Sequence, residues 1–275
     1  MGCFFFLSGF VASRRICSGD VNIKNEFINK FKRLMVPYLF YSFITMGLKQ
    51  IFSAYANNKF EIGELWKIIL GENPNGGLWY LWTLFIIAVI FAALSKLKIN
   101  YKAYIVLGVV LYALLYFIPD GFYSNLLKYF IFYAVGVGIA SEYDHVKFVM
   151  STYRFGIISL ILFVIMLVID GVPYAITGLL GTGLVMFLSI RISNNREKGT
   201  YKLLNDIGNF SYDIYLVSYF VQIPIRIICY KILSMPYIVV VILMFMLGGI
   251  IPYFICKYII RKISLANKIL LGNWK

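Results

Sequence analysis

Three sets of side chains in this sequence have types and spacings suited to chemistry. The first is cationic: Arg14 and Arg15 directly follow one apolar run, and Lys30, Lys32 and Arg33 directly precede another. Cations at helix ends can hold phosphates, arginine through a forked guanidinium and lysine as a point charge. The same residues also read as the ordinary cytoplasmic anchor of membrane helices. The second set is Ser211, Tyr215, Ser218, Gln222 and Arg226, whose spacing puts all five on one face of a helix. Polar groups inside an apolar helix normally face a bundle interior or a cavity, so Tyr215, Ser218, Gln222 and Arg226 are candidate pocket-lining residues. Arg226 has an alternative, which is to snorkel to the interface near Lys231. The third set is Trp79, Tyr80 and Trp82 at the head of an apolar run. It reads as an interfacial aromatic belt or as a surface on which a sugar stacks.

No catalytic base emerges from the residues. General bases are usually His, Glu or Asp, and the single histidine, His145, lies in Ser141-Glu142-Tyr143-Asp144-His145 with no motif around it. It reads as a solvated loop residue. Ser8, beside Gly9, reads as helix packing, since small residues let membrane helices approach closely. Without a base nearby it is no nucleophile. Cys3, Cys17, Cys229 and Cys256 lie in or beside apolar runs without metal-ligand spacing, so they read as buried free thiols and no metal is expected. Met1-Gly2-Cys3 lacks the Ser or Thr that a myristoylation signal needs at position 6, which is Phe6. A cleaved signal peptide is also disfavoured, because the positive charges follow the apolar core instead of preceding it.

The elements that must position these residues are membrane helices. The chain is 61% hydrophobic and 14% charged, with a mean hydropathy of +0.82, far from soluble composition. Its net charge of +14 is spread over short loops between apolar runs, which is topology bias and excludes a nucleic-acid partner. The expected fold class is all-α, a polytopic transmembrane helix bundle of about nine spans forming a single domain over residues 1–275. The spans are 2–12, 34–53, 78–94, 101–118, 126–140, 155–169, 174–190, 210–233 and 237–260, the first too short to cross comfortably. The stretch 60–70 is too polar to span and suits a helix lying at the interface. Pro37, Pro224 and Pro252 fall inside spans and should kink them. The lack of internal repeats disfavours a transporter.

Loop charges alternate. Arg14, Arg15, Lys24, Lys30, Lys32 and Arg33 put the first loop inside, offset only by Asp20 and Glu26. Glu61, Glu64 and Glu72 against Lys59 and Lys67 put the next loop outside, and Lys96, Lys98 and Lys102 the following one inside. The turn at Pro119-Asp120-Gly121 is outside, Lys147 and Arg154 inside, and Asp170-Gly171-Val172-Pro173 outside. Arg191, Arg196, Lys198 and Lys202 mark the inner face again, and Lys257, Arg261, Lys262, Lys268 and Lys275 leave the C-terminus cytoplasmic. The chain is thus expected to be a multi-pass protein of a cell (plasma or inner) membrane, with the lipid bilayer as a partner and Met1 on the outer face.

Phe5, Ser8, Gly9 and Phe10, followed by Phe27, Lys30, Arg33 and Leu34 with Pro37-Tyr38, resemble the second helix and following loop of the acyltransferase 3 family. Those proteins are bacterial integral-membrane enzymes that O-acylate cell-surface sugars. Leu78-Trp79-Tyr80-Leu81 and Gly208-Asn209-Phe210-Ser211-Tyr212-Asp213-Ile214-Tyr215-Leu216 fit the same pattern in order and spacing. The resemblance implies transfer of an acyl group, acetyl foremost, from acyl-CoA (acetyl-CoA) to a hydroxyl of a cell-surface polysaccharide or its lipid-linked precursor. It implies acyl-donor binding by Arg14, Lys30 and Arg33, and a place for Ser8 beside the reaction centre. The family pattern opens with one more helix, bearing a basic residue and then a histidine, which this sequence lacks. Nine spans with an inner C-terminus point to the same gap, so a truncated product, a misplaced start codon or a degenerate member is expected. Two further departures stand at Lys30, where relatives often carry arginine, and at Ser218, where they often carry histidine. The alternatives to the enzyme are an exporter of polysaccharide intermediates and an inactive remnant.

Overall fold

A computed structural model describes residues 1–275 except 20, 52–62, 64, 74, 120, 122, 195–198 and 275. Asp20, Lys59, Glu61, Glu64, Asp120, Arg196, Lys198 and Lys275, with much of the stretch expected to lie at the interface, therefore fall outside the described residues. Every regular element among the described residues is helical: α1 (Gly2–Ser18), α2 (Ile23–Lys30), α3 (Val36–Ile51), α4 (Leu65–Ile69), α5 (Trp79–Leu94), α6 (Tyr101–Leu114) and α7 (Ser124–Ser141). Then come α8 (Tyr143–Met150), α9 (Tyr153–Val168), α10 (Tyr174–Ser193), α11 (Gly199–Asn209), α12 (Ser211–Arg226), α13 (Tyr237–Tyr258) and α14 (Ser264–Leu271). This is an all-helical, polytopic membrane protein.

A helix falls on each of the nine expected apolar runs. Among the described residues, five are long and apolar enough to cross a bilayer: Trp79–Leu97, Ser124–Ser141, Tyr174–Ser193, Ser211–Ile232 and Tyr237–Lys262. The pair α8 and α9, bent by 77°, makes a sixth if it is one broken span. Helices α1, α3 and α6 are 17, 16 and 14 residues long, shorter than any of those five.

The chain divides into two compact units. The first holds Met1–Phe27 and Thr83–Tyr201. Its centre is the close approach of α1 and α7, which two glycines permit. A Cβ on Gly9 would lie 2.2 Å from the Tyr133 carbonyl oxygen, and one on Gly136 would lie 2.1 Å from that of Phe6. Phe132 of α7 is fully buried and lies against Gly2 of α1 and Gly178 of α10, where neither glycine leaves room for a Cβ. Packing between membrane helices rests on such close contacts, since lipid is as apolar as the side chains. At the end of α1, Gly19 takes φ 70°, which favours glycine, and Arg15 pairs with Glu26 at 2.6 Å. Helices α6 and α9 begin on side-chain caps, Asn100 accepting from Lys102 N at 3.0 Å and Thr152 from Phe155 N at 3.3 Å.

The second unit holds Ile28–Trp82 and Lys202–Lys275. Helix α2 runs into α3 through one widened turn over Phe31–Met35, where Val36 N–H reaches back five residues to the Phe31 carbonyl. The segment after α3 does not stay at its far end, where the charge pattern had put it. Tyr38 donates to the Ile68 carbonyl at 2.6 Å, and Asn73 donates to Ser42, roughly 13 Å of helical rise before Ile51. α4 and the turn after it therefore fold back along the first half of α3. Irregular backbone beside apolar helices needs protein partners for its polar groups. Tyr38, Trp82 and Tyr215 supply them by donating to the Ile68, Ile69 and Gly77 carbonyls, a pattern that loop charge does not register.

Candidate functional site

The second unit concentrates polar groups at the start of α3, and Pro37 is the local cause. Proline has no N–H, so the Arg33 carbonyl four residues earlier loses its helical donor. In the widened turn the same missing N–H also leaves the Lys32 carbonyl open, five residues earlier. Both find donors elsewhere: Tyr212 Oη donates to the Arg33 carbonyl at 2.7 Å, and Trp274 Nε1 to that of Lys32 at 3.2 Å. Widened turns of this kind are frequent at functional sites.

The Arg33 side chain is exposed but oriented. Its guanidinium carbon lies 4.9 Å from the centre of the Tyr212 ring, and one N–H donates to Asn273 Oδ1. Asn273 is in turn fixed by Asn267, through its N–H to the Asn267 carbonyl at 3.1 Å and its amide to Oδ1 at 2.9 Å. Gly272 makes this clip possible. It takes φ 64° after α14, and a Cβ there would lie 2.5 Å from the Arg33 carbonyl oxygen. Lys32 Nζ lies 5.4 Å from the centre of the Trp274 ring.

In the first turn of α12, Asp213 is 1% exposed and pairs with Arg261 at 2.6 Å. Arg261 also donates to the Asn209 carbonyl at 2.8 Å and covers the Phe210 ring at 3.8 Å. Nearby on α11, Asp206 accepts from Lys257 at 2.7 Å and from Tyr253. These two donors hold its carboxyl below the usual range.

A neutral polar network continues from Ser42. Asn73 Oδ1 accepts the N–H of Asn75 at 2.8 Å, and Asn75 Oδ1 accepts that of Gly77 at 3.0 Å. Tyr215 donates to the Gly77 carbonyl and meets Tyr80 edge-on, with ring centres 5.5 Å apart.

The residues expected to line a pocket thus separate. Tyr215 joins this network. Ser218 bonds back to the Tyr215 carbonyl at 3.0 Å, and Gln222 packs against Gly248 of α13, where a Cβ would lie 2.7 Å from its amide nitrogen. Arg226 buries its Nε without a partner. Trp79 is half-buried as the first residue of α5, and Lys30 is half-buried at the end of α2. Ser8 and Arg14 belong to the first unit, where Ser8 bonds back to the Phe4 carbonyl at 2.9 Å and Arg14 is exposed. His145 lies exposed on α8, a short helix where a loop was expected. No group of three or more metal-ligating side chains occurs among the described residues.

Tyr212 and Asp213 stood out in the sequence only as part of the family motif, Arg261 only as an inner-face charge, and Asn273 not at all. Two local signals pointed to them. Asp213 is an acid in the first turn of an apolar helix, where burial demands a cation. Gly272 closes a short amphipathic helix and marks a chain reversal.

A family model described as an acyltransferase domain matches residues 1–257 of the 275. No curated protein and no solved structure matches the chain. Arg33, Tyr212 and Asp213 fall within the matched residues, whereas Arg261 and Asn273 lie beyond them. With nearly its whole length matched and the family's motifs in order, the chain belongs to the acyltransferase 3 family, a membrane acyltransferase family.

Proposed function

We propose that the protein transfers an acyl group, acetyl foremost, from acyl-CoA to a sugar hydroxyl of a cell-surface polysaccharide or its lipid-linked precursor. The observation that carries this reading is the posture of Arg33. A guanidinium has five N–H donors, and Asn273 uses one of them. Stacking on Tyr212 and the bond to Asn273 reduce the entropy lost when a phosphate is gripped through the remaining edge. Lys30, one turn earlier on the same continuous helix, adds a point charge in place of a second fork. The diphosphate of coenzyme A suits this pair. In the proposed topology it arrives from the cytoplasmic side of a plasma or inner membrane, where the C-terminus also lies.

In the reaction, the sugar hydroxyl loses its proton to a base and attacks the thioester carbonyl carbon. A C–O bond forms, the C–S bond breaks, and coenzyme A leaves as a thiolate that takes up a proton. Neutral donors near the carbonyl stabilise the developing oxyanion. No base is assigned among these residues, and His145, exposed on α8, is given no part.

The test uses membranes containing the protein and acetyl-CoA labelled in its acetyl group. Label should enter extracted glycan, and Arg33→Ala should reduce it by about tenfold, the loss of one contact to a charged group. Unlabelled glycan appearing at the outer face would instead make the protein an exporter. Label transfer unchanged by Arg33→Ala would remove Arg33 from donor binding.

A further inference from the structure

We infer that α11 is a membrane-surface helix, its apolar face set into one leaflet and its free cation at the headgroups of anionic phospholipids. The inference goes beyond acyl transfer and stands without it. Leu203, Leu204 and Ile207 share one side of α11 by helical spacing. They are 61%, 46% and 40% exposed, and no residue of the helix is buried. Contiguous apolar surface of this kind marks an interaction site. A helix with one apolar and one polar side suits the boundary between acyl chains and headgroups.

The polar side of α11 is the side fixed to the protein. Asp206, its single acid, accepts from Lys257 at 2.7 Å and from Tyr253, and Arg261 donates to the Asn209 carbonyl at 2.8 Å. Phe210 separates α11 from α12, its N–H turning back three residues to the Ile207 carbonyl at 3.0 Å. All of these residues belong to the second unit. Tyr253 and Lys257 lie in the last two turns of α13, a span long enough to cross a bilayer, so α11 sits where that span leaves it. Phe254, next to Tyr253 in the chain, is 51% exposed, which keeps apolar surface at the same level. Charge decides the kind of lipid. With Asp206 paired, Lys202 on α11 and Lys262 beside Arg261 are exposed cations, and each adds attraction to anionic headgroups. A second copy of this chain, with its net charge of +14, would set cation against cation on the same surface.

The test uses the whole protein in proteoliposomes of equal parts phosphatidylglycerol and phosphatidylcholine. The photoreactive residue benzoylphenylalanine is placed at Leu204, at Ile207 or, as a control on the polar side, at Asn205. Mass spectrometry after irradiation reads what each position has captured. The probes at Leu204 and Ile207 should gain a phospholipid, and the probe at Asn205 should gain far less. Phosphatidylglycerol should be captured in at least about fivefold excess, and Lys202→Gln should lower that excess by about fivefold, the contribution of one cation near the surface. Absence of lipid adducts at both apolar positions overturns the inference. So does a cross-linked pair of chains in their place, which would make the face a contact between copies, and so do adducts equally abundant at Asn205. Equal capture of the two lipids, or an excess that Lys202→Gln leaves unchanged, overturns the anionic assignment.

Discussion

Tyr212 donates its hydroxyl to the Arg33 carbonyl at 2.7 Å, a carbonyl that Pro37 leaves without a helical donor. One residue thus satisfies the backbone of Arg33 while its ring supports the guanidinium of the same residue. Tyr212→Phe keeps the ring and removes the bond, and should cost about 1 kcal/mol. Pro37→Ala restores an N–H to the helix, so adding Tyr212→Phe to it should cost markedly less. Thermal melts of the two single variants and the double variant measure this coupling, and strict additivity would contradict it.

Asp213 and Arg261 make an asymmetric pair, the carboxylate 1% exposed and the guanidinium 32% exposed. Removing the cation strands a buried anion, whereas neutralising the anion does not. Arg261→Ala should therefore lower stability by roughly 2–3 kcal/mol, under the range of about 3–5 for fully buried pairs because Arg261 is partly solvated. Asp213→Asn should cost less, and Asp213→Asn combined with Arg261→Gln should recover part of the loss. Denaturation of the detergent-solubilised variants checks the order, and an Asp213→Asn change as costly as Arg261→Ala would contradict it.

Asp206 carries the pH dependence. Its carboxyl lies below the ordinary value of 3.8 because Lys257 and Tyr253 donate to it. A depressed folded-state value stabilises above the unfolded value, and that contribution disappears as pH falls through the folded value. The difference in thermal midpoint between the wild type and Asp206→Asn should be constant near neutral pH and shrink below about pH 4. A difference that grows on acidification would contradict the pairing.

Gly9 and Gly136 set the distance between α1 and α7, each facing a backbone carbonyl of the other helix. Gly9→Ala should destabilise by several kcal/mol or prevent folding, because backbone cannot yield as a flexible side chain can. Gly47→Ala, where a Cβ meets nothing within 4 Å, should be tolerated. Expression and size-exclusion profiles separate the two, and equal tolerance would contradict the close packing.

Hydropathy was enough to place the helices, since each apolar run is helical and Pro224 and Pro252 sit inside their helices as expected. It was not enough to place the chain between α3 and α5. Glu72 and Lys67 gave that stretch the look of an outer loop with a helix at the interface, and nothing in their charge reveals that Asn73 would find Ser42. The polar stripe on α12 was legible as one face, but periodicity could not say that its members meet different neighbours. Tyr215 reaches the Gly77 turn, while Gln222 reaches Gly248. Arg33 stood out by its position at a helix end, and its partners could not, because Asn273 lies 240 residues away in the chain.

Retention of labelled acetyl-CoA by the protein in nanodiscs, compared with Arg33→Ala and Arg33→Lys, tests the donor assignment most directly. Retention should fall by about tenfold in Arg33→Ala and return only in part in Arg33→Lys, which restores charge without the fork. Retention of acetyl-CoA that is the same in all three proteins would contradict the account.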